Sequence, residues 1–590
     1  MRRLFVRDLE VLVRGPHHSE YRLVSYLRTT RTKPPAMDPP PDYTSWTNTD
    51  LISRVTALET QVSAQNLAHL KSPSPPPQSY KKKIKPPNRF DPSKYNTRLI
   101  ALKFAYLGKR YNGFEHHTNN KTPLPTVEEA LWRALMKTRL IFPDFNGGKE
   151  DEVCWDGCEY SKCGRTDRGV SAFGQVIGLR VRSSQPKERA RDVVKDDDGV
   201  ADEDGTVPDV RKEDAWDSVA DELPYIQLLN RVLPPDIRVL AWCPEPPPDF
   251  SARFNCKERR YRYFFTNPAF SPVPGESRKG DSGGAWLNIE AMQQAAKKLE
   301  GLHDFSNFCK VDPSKQISDF RRRIFHASIE RVSPSQGAGA FLERPPFGQS
   351  AQPDGAMAIS QSPELYYFEV YGSAFLWHQV RHMVAILFLV AQGHEQPSVV
   401  DDLLDTHSTP GKPVYEMADD TPLVLWDCIF PDAAEVARNS HAPSANPKYV
   451  DALNWLYIGD QASHEFTSPR ASTGVEDRKF GRMSIMEDLW AVWQTRKMDE
   501  LLAGSLMDLV SQQGQFSAQQ ATLTDGDAER SARVFDGSES PRTVGRYLPI
   551  MQRERLDTPD IVNARYAVRK GLMPKADRNG AAADVADGDE

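Results

Sequence analysis

Asp167 is the residue whose setting best suits it to chemistry. It lies in the string Cys163-Gly164-Arg165-Thr166-Asp167-Arg168-Gly169-Val170-Ser171-Ala172. Asp and Gly at this spacing form turns, because the carboxylate bonds nearby backbone N–H groups and glycine accepts positive φ. Taken alone, such a turn is structural. A carboxylate presented by a turn that runs straight into a strand can also serve as a nucleophile or a base. Cys154, Cys158 and Cys163 lie close enough together to raise a metal site. Their spacing is not a CxxC pair, and no second pair or His cluster follows at zinc-site spacing. Ordinary buried or loop cysteines are therefore expected. Seven cysteines in 590 residues, without a secretory signal, point to free thiols in a reducing compartment.

The elements that must position Asp167 follow from patterning. Arg98 to Tyr106 alternates like a strand, and Gly108 and Gly113 break it. Thr126-Val127-Glu128-Glu129 reads as a capped helix start, with Leu131, Leu135 and Leu140 following. Val176 to Val181 is a strand, and Tyr225 to Leu233 a helix ended by Pro234-Pro235. Strands are expected at Ile237 to Trp242, Arg260 to Phe265, Arg323 to Val332 and Leu365 to Tyr371. Helices are expected at Glu290 to Leu299 and at Ala374 to Gln392, the latter long and apolar. Irregularly interspersed strands and helices make this an α+β chain. The longest apolar run, Met383 to Ala391, is about half the ~20 residues a bilayer span needs, so no membrane partner is expected.

The 590 residues exceed what one core supports, and 46 prolines with 39% hydrophobic residues suggest a folded centre with disordered flanks. A net charge of −6 would ordinarily argue against a polyanionic partner. From Ser184 to Glu222, however, 14 acidic residues face six basic ones, a local −8 that leaves the remaining chain at −6 + 8, or +2. Charge is thus compatible with RNA. Residues 1–36 are a basic leader or precede the true start at Met37. The Arg-rich beginning suits a mitochondrial presequence, whereas Asp8, Glu10 and Glu20 do not. Residues 37–95 hold a short helix with Leu51, Val55, Leu58 and Val62 at coiled-coil spacing, then a Pro/Lys-rich linker. Nucleus or cytoplasm is the expected compartment.

The string from Cys163 to Gln175 resembles the signature of the TruA family of tRNA pseudouridine synthases: a small residue, then Gly-Arg-Thr-Asp-x-Gly-Val-x-Ala-x-Gly-Gln-Val. Three more blocks occur in that family's order. Phe250-Ser251-Ala252-Arg253-Phe254 with Arg259-Arg260-Tyr261-Arg262-Tyr263 resembles the block carrying the active-site tyrosine. Gly372 to Arg381 resembles the block that supplies an arginine near the catalytic Asp, and Pro422 to Leu425 the strand walling the uracil pocket. The resemblance covers roughly Asn96 to Pro431, with Ser171 standing where the bacterial members commonly have His. Within the family, Gly301 to Lys310 and Leu423 to Cys428 look like the eukaryotic branch that modifies uridines 38 and 39 of the anticodon arm.

The resemblance implies a two-lobed pseudouridine synthase fold with mainly antiparallel sheets, flanking helices and a cleft between lobes at 96–243 and 244–432. Disordered insertions are expected at about 184–222 and 334–362, and a mostly disordered tail at 433–590 with one helix at about 484–513. It also implies isomerisation of uridine, in which the N1–C1′ bond breaks and C1′ rejoins C5. Asp167 is then the catalytic carboxylate, whether attacking C1′ or taking a ribose proton, and Arg381 its ion partner. Tyr261 would stack on the uracil with Tyr263 in reserve, Leu423 would press on the base, and Arg165 would help to expose it. Arg259-Arg260 and Arg321-Arg322-Arg323 would contact phosphates. The tRNA anticodon stem-loop is the expected partner and a homodimer the expected assembly. A redox-neutral isomerisation calls for no cofactor or metal. The alternatives are a synthase of the same family with other RNA targets, and a catalytically idle RNA-binding or RNA-folding protein on the same scaffold.

Overall fold

A computed structural model of the protein describes residues 47, 49, 53–60, 90–117, 122–145, 152–187, 216–272, 284–333, 363–440, 449–460, 479–481, 484–514 and 532–572. The chain forms two units, Met1–Arg89 and Phe90–Glu590. In the first, residues 53–60 are helical and exposed, within the helix expected at coiled-coil spacing. The basic leader, the Pro/Lys-rich linker, the acidic stretch at 188–215 and the loop insertion at 334–362 lie outside the described residues.

The second unit is α+β. In chain order its elements are β1 (Thr97–Tyr106), α1 (Val127–Lys137), β2 (Ser161–Lys162), β3 (Ser171–Arg182), α2 (Tyr225–Asn230), β4 (Ile237–Cys243), β5 (Glu258–Asn267) and α3 (Ile289–Lys297). There follow β6 (Gly301–Asp304), β7 (Arg321–Arg331), β8 (Glu364–Gly372), α4 (Gln379–Ala391), α5 (Val399–Leu404), β9 (Leu423–Ile429), α6 (Ala433–Ser440) and β10 (Leu456–Tyr457). Last come α7 (Ile485–Ser511), β11 (Ala532–Val534), β12 (Arg542–Val544) and α8 (Pro559–Lys570).

The strands of both halves share a single, mainly antiparallel sheet. Its order is β10-β4-β1-β3-β9-β5-β8-β7-β6, with β2 against β3. The one parallel join, Ser171↔Val424 and Ala172↔Leu425, links the halves and brings the starts of β3 and β9 to the same end of the sheet. Two hydrophobic cores lie along it. One gathers Phe104, Leu131 and Tyr225 around β1, β3, α1 and α2; the other gathers Met292, Phe368 and Phe388 around β5, β8, α3 and α4.

Local chemistry sets the helix ends. The Thr126 hydroxyl accepts from Glu129 N–H at 3.2 Å and starts α1, as the capping pattern predicts. All 13 residues of α4 are buried, and beyond Gln379, Arg381 and His382 in its first turn they are apolar. It begins later than Ala374 because His378 adopts φ +61°, and the Gln379 side chain accepts from Leu376 N–H at 2.8 Å.

Two expected disordered regions contain order. At the end of the acidic stretch Glu222 is buried, pairs with Arg98 at 3.1 Å and accepts from the Ser183 hydroxyl at 2.6 Å. In the tail, Val534, Phe535 and Ile550 enter the second core. Glu395 accepts from the Tyr547 hydroxyl and Ile550 N–H, and Gln392 from Phe535 N–H. Three apolar residues scattered through a polar tail carry no periodic signal. The long helix α7, by contrast, buries only Ile485 and is tied by Asp488 to Arg238 at 2.8 Å. Among the described residues no helix is long and apolar enough to cross a membrane.

Candidate active site

Asp167 stands in the loop entering β3, and the loop is fixed by the residues around it. The Gln175 amide clasps Gly164, accepting from its N–H at 3.0 Å and donating to its carbonyl at 3.1 Å. The Thr166 hydroxyl shares a buried hydrogen bond of 2.7 Å with Tyr106 of β1. From the loop after β1, Phe114 N–H donates to the Thr166 carbonyl at 3.1 Å. Gly169 has φ +80°, and a Cβ there would stand 2.2 Å from Asp420 Oδ1, so the turn and the close approach both require glycine. The motif residues around Asp167 thus act mainly as its scaffold.

Because β3 and β9 run parallel, the loop before each strand meets the other. Leu423, at the start of β9, is buried beside Val170 and Asp167 in the wall of one cavity of about 620 Å³. On the other side of β9, β5 pairs Tyr263 with Leu423 and Tyr261 with Leu425, and one residue of β9 bulges between Arg260 and Tyr261. Tyr261 lines the cavity, its ring perpendicular to Phe375 at 5.1 Å. Burial holds its hydroxyl above the usual phenol range, so it stays protonated. The reserve candidate Tyr263 is not in the cavity. It is 0% exposed, packs edge-on to Phe388 and abuts the backbone at Gly537, because the tail covers that end of the strand.

Asp167 is pushed up to about 6. Burial is the largest cause, with Asp420 adding to it, while Arg381, the Trp377 indole and Lys315 pull the other way. Arg381 is buried in α4 and lines the same cavity, but no ion pair joins it to Asp167 within 4.0 Å. Its Nε donates to the Ala418 carbonyl at 2.7 Å and its Nη1 is 3.9 Å from Asp420. The expected direct partnership is therefore replaced by a shared field, in which Arg381 stands among two carboxylates and a carbonyl.

The closest cationic-type group to Asp167 is one that patterning missed. His378 Nε2 lies 3.6 Å from Asp167 Oδ2, and His378 Nδ1 is buried without a hydrogen-bond partner. Burial, then Arg381, Lys310 and Lys412, depresses the imidazole to about 4, so it is neutral near pH 7. Only its place next to Gln379 in the arginine block, and its left-handed backbone, single it out.

Arg165 lines the cavity, half-exposed, with Nε 3.1 Å from Glu115. Of the arginines expected on phosphates, Arg322 lines the cavity, whereas Arg321 pairs with Asp319 and Arg260 with Glu258. Arg259 also reaches the cavity, but its donors hold the carbonyls of Ser373, Cys163 and Arg253. Eight lysines and arginines line the cavity against two carboxylates, Asp167 and Asp312, a balance suited to a polyanion despite the acidic whole. Cys154 and Cys158 do not join Cys163. Cys163 instead meets Cys256 and Cys428.

A protein-family model described as tRNA pseudouridine synthase matches residues 295–431, which contain Arg381 and Leu423 but not Asp167. The tRNA pseudouridine(38/39) synthase of Saccharomyces cerevisiae is 38% identical over 403 residues, 66% of this chain and 72% of that protein. The Homo sapiens protein of the same name is 41% identical over 379 residues, 64% of this chain and 60% of its own length. The tRNA pseudouridine synthase A of Methanothermobacter thermautotrophicus is 27% identical over 312 residues, 52% of this chain and 74% of that protein.

Proposed function

The chain belongs to the tRNA pseudouridine synthase family, and from that premise we propose that it isomerises uridines 38 and 39 in the anticodon arm of tRNA with Asp167 as the nucleophile. The observation carrying this reading is the convergence of Asp167, Tyr261, Arg381 and Leu423 on one cation-lined cavity, from the loop before β3, from β5, from α4 and from β9.

The target base must leave its stack, at a cost of about a few kcal/mol, which lysines and arginines around the cavity offset by holding the backbone phosphates. Arg165, at the half-exposed rim, occupies the space the base leaves. Inside, the uracil lies between Tyr261 and Leu423. A carboxylate oxygen of Asp167 bonds to C1′ as the N1–C1′ bond breaks, and the bonding pair departs on the uracil anion. The base turns and C5 attacks C1′, releasing the carboxylate. The C5 proton is then lost and N1 gains one, so the product is an isomer. Arg381 and Trp377 favour the ionised Asp167 that the first step needs, and neutral His378 adds no competing charge.

A transcript of the anticodon stem-loop with uridine at both positions tests this. Wild-type protein converts it, read as pseudouridine by chemical mapping, and Asp167→Ala binds it without converting it. Conversion by Asp167→Ala would remove Asp167 from the reaction. A wild-type protein that binds the transcript and leaves it unmodified would favour a scaffold role.

A further inference from the structure

We propose that Cys163, Cys256 and Cys428 form a site for a thiophilic divalent cation of the zinc class, which ties together the three pieces of chain walling the catalytic cavity. Their sulfur atoms all lie within 4.8 Å of one another, and all three residues are buried. They are far apart in sequence. Cys163 precedes Asp167 by four residues, Cys256 stands just before β5, and Cys428 lies within β9. The neighbouring order β3-β9-β5 is what brings them together. Tetrahedral zinc at about 2.3 Å from each sulfur sets the sulfurs about 3.8 Å apart, so contraction of no more than about 1 Å closes the set.

Charge supports an ion at this point. Arg259 is part-buried against the cluster, and its hydrogen bonds go only to carbonyls. Among the described residues no carboxylate pairs with it. A part-buried cation without a carboxylate partner favours an anion nearby. Three thiolates and a dication sum to −1, and Arg259 brings the total to zero. Cys163 lines the cavity, the side from which a fourth, non-protein ligand would approach. The ion is structural, since the isomerisation itself needs none, and the inference stands whether or not uridine is the substrate.

The full chain, purified under reducing conditions, stripped by chelator and titrated with Co²⁺, tests the site. One equivalent is expected to bind, with sulfur-to-cobalt charge-transfer absorption in the near ultraviolet and intense visible bands of four-coordinate cobalt; Zn²⁺ should then displace it. Cys256→Ser and Cys428→Ser each should lose at least about nine-tenths of that signal, while Cys154→Ser keeps it, with circular dichroism reporting the fold of each variant. The wild-type titration does not depend on the variants folding. Absence of stoichiometric Co²⁺ and Zn²⁺ binding to the wild type, or full binding by folded Cys256→Ser, overturns the proposal.

Discussion

Replacing Asp167, the proposed nucleophile, should make the protein more stable as it abolishes activity. Asp167 rises from 3.8 to about 6, chiefly through burial. The interval of about 2.2 pH units at 1.36 kcal/mol each gives about 3 kcal/mol, the cost of keeping the carboxylate ionised in the folded chain. A quarter of the side chain is exposed, and screening by solvent trims this to about 2 kcal/mol. Because the folded value lies above the unfolded one, the folded chain binds the extra proton between the two. The penalty is complete above about pH 6 and disappears below about 3.8. Asp167→Asn keeps the size and removes the charge. Urea midpoints at pH 8, 6 and 5 should show the variant ahead by about 2 kcal/mol at pH 8, with the lead shrinking at pH 5. The same ionisation should give the wild type a kcat/KM that rises with pH through about 6. A variant no more stable than wild type at pH 8, or a lead that does not change with pH, would refute the reasoning.

Three further outcomes follow from the packing. Gly169→Ala sets a Cβ against Asp420 at φ +80°, and should cost about 1–3 kcal/mol and lower kcat more than it raises KM, measured by denaturation and single-turnover kinetics. Phe535→Ala opens the second core from the tail side and should lower stability by about 3–5 kcal/mol in urea titrations; a neutral effect would mean the tail does not dock. Lys310→Ala should weaken tRNA binding and reduce the log–log salt slope by about 0.7–0.9, because Lys310 lines the cavity near Trp377 without a carboxylate partner among the described residues.

What the sequence makes legible is mostly local. The turn at Asp167, the cap at Thr126 and the apolar α4 follow from chemistry within a few residues. The arrangement of the site is a matter of which strands neighbour each other, and that has no local signature. Patterning therefore put Tyr261 and Tyr263 on one face but could not tell that Gly537 and Phe388 enclose the second. It paired Arg381 directly with Asp167, whereas the fold sets Arg381 against the Ala418 carbonyl and nearer Asp420. It grouped cysteines by sequence spacing, and the sheet regrouped Cys163 with Cys256 and Cys428. The docking residues of the tail are single apolar positions without periodicity, invisible until their receiving surface is known.

The parallel join of β3 and β9 also sets a timetable for synthesis. The loop bearing Asp167 leaves the ribosome long before the strand bearing Leu423, a separation of 423 − 167, or 256 residues. At about 5–20 residues per second, roughly 13–50 s pass during which the first half can fold with Asp167 in place and the far wall of its cavity missing. The tail that closes over Tyr263 emerges later still. A chain released before β9 thus carries Asp167 without Leu423 opposite it, so the proposed chemistry waits for β9.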